Sequence, residues 1–141
     1  MTRERGQTSL LIIGFALVLA MLVAVVVDAS AAYLRRQDLD ALADGAALAA
    51  TDGIRADQVY VAGLGARAAL DPAAAQGYVA AYLQQAGAAG RFPGLAWSVR
   101  VGPDFVVVRV VAPLDLPLRL PGSRFRPLVT GTSASYVDVS G

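Results

Sequence analysis

"VVVDASAAYLRRQDLDALADGAALAAT", residues 25–51, begins in the tail of an apolar run, meets Asp28, and carries on without a helix breaker. No glycine follows until Gly45 and no proline until Pro72. Leu39, Leu42, Ala43, Ala46, Ala47 and Ala50 keep the i, i+3, i+4, i+7, i+8, i+11 spacing of an amphipathic helix, while Asp40 and Asp44 lie on the opposite face, one turn after Arg36. This spacing predicts one continuous helix from about Thr8 to about Asp52, ~66 Å long, with Asp52-Gly53 as its stop. Gly45 inside it costs about 1 kcal/mol of propensity relative to alanine, which tertiary packing has to offset. The expectation is a rigid connection rather than a flexible tether.

Upstream, "SLLIIGFALVLAMLVAVVV" from Ser9 to Val27 carries no charge over nineteen residues. A helix of that length rises ~28 Å, close to the ~30 Å hydrocarbon thickness of a bilayer. A secretory signal peptide is the rival reading, since Ala29-Ser30-Ala31 offers small residues for cleavage. Signal peptides usually have a shorter apolar region of ~7–15 residues, so a retained span is preferred. The expected organisation is a cytoplasmic tail over 1–8, a transmembrane helix over 9–27, its continuation over 28–52 and an external α+β domain over 53–141. Arg3 and Arg5 on one side nearly balance Arg35 and Arg36 on the other. The free amino terminus tips the orientation towards a cytoplasmic N-terminus and an extracytoplasmic C-terminal domain in the cell membrane.

Within the span, Ala16, Ala20 and Ala24 recur every four residues, and Asp28 and Ala32 continue the row. Small residues on one face let two helices approach closely in lipid, so these five positions are the expected packing site for a partner helix or a second copy. Alanine is also common throughout this chain, and Asp28 has the plainer role of marking the headgroup boundary.

Composition narrows the function. The 141 residues include neither histidine nor cysteine, and all twelve basic residues are arginine. Imidazole or thiolate metal sites, cysteine nucleophiles and disulfides are therefore excluded. Glu4 is the sole glutamate, and most aspartates sit where caps, turns or solvated faces account for them. No nucleophile–base constellation can be assembled, so an enzyme is not expected, and no catalytic residue, cofactor, metal or small-molecule substrate is assigned. A net charge of +1 with scattered arginines gives no basic stripe for nucleic acid.

The remaining elements follow from local signals. "DQVYVAG", 57–63, reads as a short extended segment. Asp71-Pro72 reads as an N-cap with proline at the first helical position. Ala75, Tyr78, Val79, Tyr82, Leu83 and Ala86 form one face of a helix ending near Gly87, with the tyrosines at the core edge. After "FPG" at 92–94, Leu95, Trp97, Val99 and Val101 alternate with Ala96, Ser98 and Arg100. "GPD" at 102–104 then turns the chain into "FVVVRVVA", 105–112, a hairpin with Val106, Val108 and Val110 facing the core and Arg109 facing out. Pro113, Pro117 and Pro121 forbid a central strand over "PLDLPLRLP", and "LVTGTSASYVDV", 128–139, reads as a terminal strand. The fold class expected is α+β, a second helix and an antiparallel sheet of about three strands following the long N-terminal helix.

Residues 5–51 resemble the N-terminal region of the TadE/TadG-like proteins of the Tad (tight adherence, Flp) pilus-assembly system. The resemblance rests on Arg5-Gly6, an apolar span closing in Val27-Asp28, Tyr33-Leu34-Arg35-Arg36, Leu39, and Ala43-Asp44 through Ala50. The remainder is similar to the short actinobacterial TadG-related members, through Val59-Tyr60, "LDPAAA" at 70–75 and "RFPGL" at 91–95. This implies a pilin-like, single-pass envelope component of a type IV-like pilus assembly or secretion system, whose partners are the membrane and other assembly proteins or itself. Gly6 matches the position of leader cleavage, but prepilins of this system carry glutamate five residues later, where this chain has Leu11. That departure argues against processing and against a polymerised major pilin. The competing function is a membrane-tethered extracellular domain binding a cell-wall polymer or small ligand, which needs a pocket with convergent polar groups.

Overall fold

The computed structural model describes residues 4–62, 71–114 and 127–136. Three helices precede three strands: α1 (Glu4–Ala62), α2 (Pro72–Gln85), α3 (Ala88–Arg91), β1 (Ala96–Val101), β2 (Phe105–Pro113) and β3 (Leu128–Tyr136). The strands form one antiparallel sheet in the order β1-β2-β3. The chain divides into two compact units, Met1–Leu34 with Asp115–Arg124, and Arg35–Leu114 with Phe125–Gly141. In the first unit the described residues are the helical stretch 4–34. The described core residues around the sheet belong to the second.

In that second unit the alanine stripe of α1 lies in the core. Leu39, Ala43, Ala46, Ala47, Ala50 and Ile54 are buried together with Ala75, Val79 and Leu83 of α2 and with Val106, Val108 and Val110 of β2. The alternation expected for β2 is therefore present, with Arg109 exposed on the other face. Register places Val99 opposite Val108 and Trp97 opposite Val110 on the core side. Trp97 nevertheless keeps 39% of its surface, because β1 is an edge strand whose core side is only partly covered.

Alanine and glycine on α1 let neighbours come very near. At Gly45 a Cβ would collide with the Tyr82 ring and hydroxyl, and at Gly53 with the Tyr78 ring. These contacts correct two expectations. Gly53 does not end the helix: it is a packing position inside α1, which runs ten residues beyond Asp52 to Ala62. Residues 57–62 are accordingly helical rather than extended, and Gly63 lies outside the described residues. The alternating Val59 and Val61 resemble a strand, but extending an existing helix adds one hydrogen bond for each residue fixed, whereas a new strand needs a partner.

Local chemistry sets the other boundaries. Asp71 caps α2, its Oδ1 accepting the Ala73 amide at 2.9 Å, with Pro72 at the first helical position. Gly87 ends that helix in the left-handed region at φ 62°. Phe92-Pro93-Gly94-Leu95 then makes a turn with the Leu95 amide donating to the Phe92 carbonyl at 3.0 Å and Gly94 at φ 80°, the type II pattern of proline followed by glycine. Pro113 closes the central strand, pairing with Leu128 two residues beyond the last β1 partner of β2, Val111. The following segment expected to be irregular, 115–121, and the end of the terminal strand, 137–139, lie outside the described residues.

β3 meets the backbone of α1 itself. A Cβ on Gly131 would stand 2.5 Å from the Leu39 carbonyl oxygen and 2.8 Å from the Asp40 nitrogen, backbone atoms that cannot swing away. Gly131→Ala should therefore cost about 1–3 kcal/mol of stability through overpacking. Gly77→Ala on α2, where a methyl meets nothing within 4 Å, should gain about 0.5–1 kcal/mol of helix propensity. Denaturant unfolding in detergent micelles, followed by the fluorescence of the single tryptophan, measures both. Equal stability of Gly131→Ala and the parent would mean that α1 and β3 do not touch there.

Candidate functional site

The first candidate is the apolar surface of α1. Its most apolar stretch has a mean hydropathy of 3.3 and none of it is buried, so the chain has a helix long and apolar enough to cross a membrane. Leu10 is 76% exposed, Val25 68% and Val27 44%. Soluble monomers rarely leave contiguous apolar patches larger than a few hundred Å² uncovered. Ser30 keeps this surface free of unsatisfied hydroxyls near its end, donating to the Val26 carbonyl at 2.8 Å.

Ala16, Ala20, Ala24, Asp28 and Ala32 all lie on α1. Ala16 and Ala20 are exposed, and Ala24, Asp28 and Ala32 are partly buried. Four residues advance a helix by about 40° more than one turn, so the row winds around α1 instead of running parallel to its axis. A partner following it would cross at the right-handed angle of small-xxx-small pairs. Gly6 falls within α1 as well.

The Tyr33-Leu34-Arg35-Arg36 motif separates into two kinds of arginine. The Arg35 guanidinium lies 4.6 Å from the centroid of the Phe92 ring, and that of Arg91 5.4 Å. Phe92 is fully buried in the core. Arg36 instead meets Asp40 at 3.8 Å in an exposed pair, an interaction worth at most about 0.5 kcal/mol. Sequence periodicity does not distinguish adjacent arginines; the pairing of Arg35 with Phe92 depends on the turn that follows α3.

A second contact is also non-local. The Thr51 hydroxyl is buried, lies 2.9 Å from the Leu48 carbonyl and 3.2 Å from that of Ala47, and shares a hydrogen bond of 3.1 Å with the Ser135 hydroxyl of β3. It joins helix to sheet, and only the fold reveals it.

Beside Trp97 an open groove of about 400 Å³ runs between α2, α3 and β1. Leu83, Phe92, Leu95 and Trp97 supply its apolar walls, and among the described residues lining it Gln84 is the only polar one besides the indole. That lining does not provide the convergent polar groups by which a small polar ligand is oriented.

If the alanine row is a packing face, Ala20→Leu should weaken association of the chain by something on the order of 1 kcal/mol. Leu17→Ala, off the row, should leave it unchanged. A membrane-association assay on the two variants reads the difference, and equal association would assign the alanines to composition alone. No family model matches the chain, and no curated protein and no solved structure matches it.

Proposed function

We propose that the chain is a single-pass envelope component of a Tad/Flp type IV-like pilus assembly or secretion system, with a structural or assembly role exercised through helix–helix contacts in the membrane and through its α+β domain. One observation carries the reading: a single helix, α1, bears the uncovered apolar surface over residues 10–27 and, further along, the alanine face buried under the sheet. This joins with the resemblance over residues 5–51, whose Val27-Asp28, Tyr33-Leu34-Arg35-Arg36 and Ala43-Asp44 elements are all on that helix. The arrangement is pilin-like in this sense, and its direction in the cell membrane is N-terminus inside and domain outside.

Among the described residues, the groove beside Trp97 is what favours a tethered binding domain. Its apolar lining fits poorly with a cell-wall polymer, and the assembly reading takes precedence.

Two measurements test the proposal. N-terminal sequencing of the membrane fraction should find the span retained; a mature chain starting at Ala32 would remove the anchor, and one starting at Gln7 would make the protein a processed pilin-like subunit. In cells, Ala32→Pro removes a backbone hydrogen bond and clashes with the preceding turn, costing about 3 kcal/mol locally and kinking the helix. The variant should stay inserted, keep a protease-resistant domain, and fail to support pilus assembly, with Ala32→Leu as the helix-preserving control. Normal assembly with a kinked junction would reduce α1 to a tether.

A further inference from the structure

The face of the sheet turned away from the core is exposed at Ser98, Arg100, Arg109, Thr132 and Ala134. Register sets Arg100 opposite Val107, and Arg109 opposite both Ser98 and Thr132, so the two arginines are diagonal neighbours. Together with Ser98, Val107 and Thr132 they line a shallow concavity of about 210 Å³. Among the described residues neither arginine has a carboxylate within ion-pair distance. Diagonal positions bring Cβ atoms within about 7–8 Å, close enough for like charges to repel. No carboxylate among the described residues offsets that repulsion.

The complementary surface is on α1 of the same domain. Asp44, Leu48 and Asp52 are exposed and, at four-residue steps, fall within an arc of about 80° on the helix. That arc points away from the buried Leu39, Ala46 and Ala50. Leu48 keeps 56% of its surface and, among the described residues, is the one large apolar residue left exposed on α1 between Leu34 and Ala56. Among the described residues Asp44 and Asp52 also lack an ion pair, Arg55 notwithstanding. The two carboxylates are separated by about 12 Å along the axis, a span that two arginine side chains splayed from diagonal positions can meet.

We propose that the Asp44-Leu48-Asp52 ridge of one copy docks on the Arg100–Arg109 concavity of a second copy, Leu48 resting on Val107 and each carboxylate meeting an arginine. The ridge and the concavity are on opposite faces of a helix-on-sheet domain and are not self-complementary. The contact is therefore heterologous, and repeating it gives an open series or a ring, never a closed two-fold dimer. The patch is small, so the contact is weak between free domains and gains from holding copies together. It is independent of any role in pilus assembly and can fail or hold without it.

Disulfide trapping tests it on the full chain in detergent micelles, where the absence of native cysteine leaves no background. Mixed L48C and V107C chains should cross-link on mild oxidation with a yield on the order of tenfold above mixed L48C and Q85C chains, because docking raises the local concentration of one thiol at the other. R100D/R109D in the V107C chain should bring the yield to the control level, and adding D44R/D52R to the L48C chain should restore it. The yield should also fall as salt rises from about 0.05 to about 0.5 M. Yields equal to the control, insensitivity to the first charge reversal, no restoration by the second, or L48C chains cross-linking to each other as readily as to V107C chains would each overturn the proposal. Trapping that vanishes for the purified chain and returns only with another acidic protein would likewise exclude a second copy as the occupant.

Discussion

The near contact of Gly131 with the backbone of Leu39 and Asp40 fixes how far α1 stands from the sheet. A helix that rests backbone to backbone on a strand leaves no space for large side chains beneath it, and α1 presents Ala43, Ala46, Ala47 and Ala50 there, all fully buried. The rest of the domain adjusts to that spacing. Tyr82 and Tyr78 lay their rings over Gly45 and Gly53, so α2 too approaches at the distance that glycine permits. Bulk comes instead from Val106, Val108 and Val110 of the central strand and from Phe92. Buried alanines contribute little transfer free energy each, since stabilisation scales with apolar area removed from water at roughly 25 cal/mol per Å². A core of this kind depends on close fit, and an added methyl is more damaging in it than a lost one.

This spacing also explains what the sequence discloses and what it conceals. The faces of α2 and β2 are legible because each depends on a short-range rule: Asp71-Pro72 caps and starts a helix, and Val106, Val108 and Val110 alternate with Val107 and Arg109. The alanine stripe of α1 is legible for the same reason. The end of α1 is not, because Gly53 has two possible roles, cap or close contact, and the ring of Tyr78, well beyond it in the chain, decides between them. The extended reading failed with it over 57–62. Trp97 shares a face with Val99 and so reads as core, yet its exposure depends on how far α2 and α3 reach over an edge strand. At the candidate sites the same division holds: the four-residue row from Ala16 to Ala32 can be seen in the letters, whereas Arg100 and Arg109 become neighbours only once the hairpin register is known.

α1 joins an uncovered apolar stretch to a face buried in a core. A helix closes its own backbone hydrogen bonds, which is why it is one of the few structures tolerated in hydrocarbon as well as in a protein core. Its hydroxyls follow the same economy. Ser30 bonds to the carbonyl one turn back and needs nothing from outside the helix. Thr51 does so as well, and then uses its remaining capacity on Ser135 of β3. One hydroxyl is complete within the helix; the other ties the helix to the sheet.

The two adjacent arginines show how little charge alone says about position. Arg36 keeps to solvent beside Asp40, where either partner can leave at small cost. Arg35, one residue earlier and rotated by about 100° on the helix, places a planar cation over the face of Phe92, with Arg91 near the same ring. Arginine suits that place better than lysine, because its flat guanidinium stacks on an aromatic face and is less strongly hydrated than an ammonium group. Phe92 in turn accepts the Leu95 amide across the turn that opens the sheet. Arg35 thus links α1, at the first residue of its domain unit, to the segment from which β1 starts. In the Tyr-Leu-Arg-Arg motif it is the first arginine that packs and the second that solvates, so the motif is a registration mark between helix and sheet before it is a pair of charges.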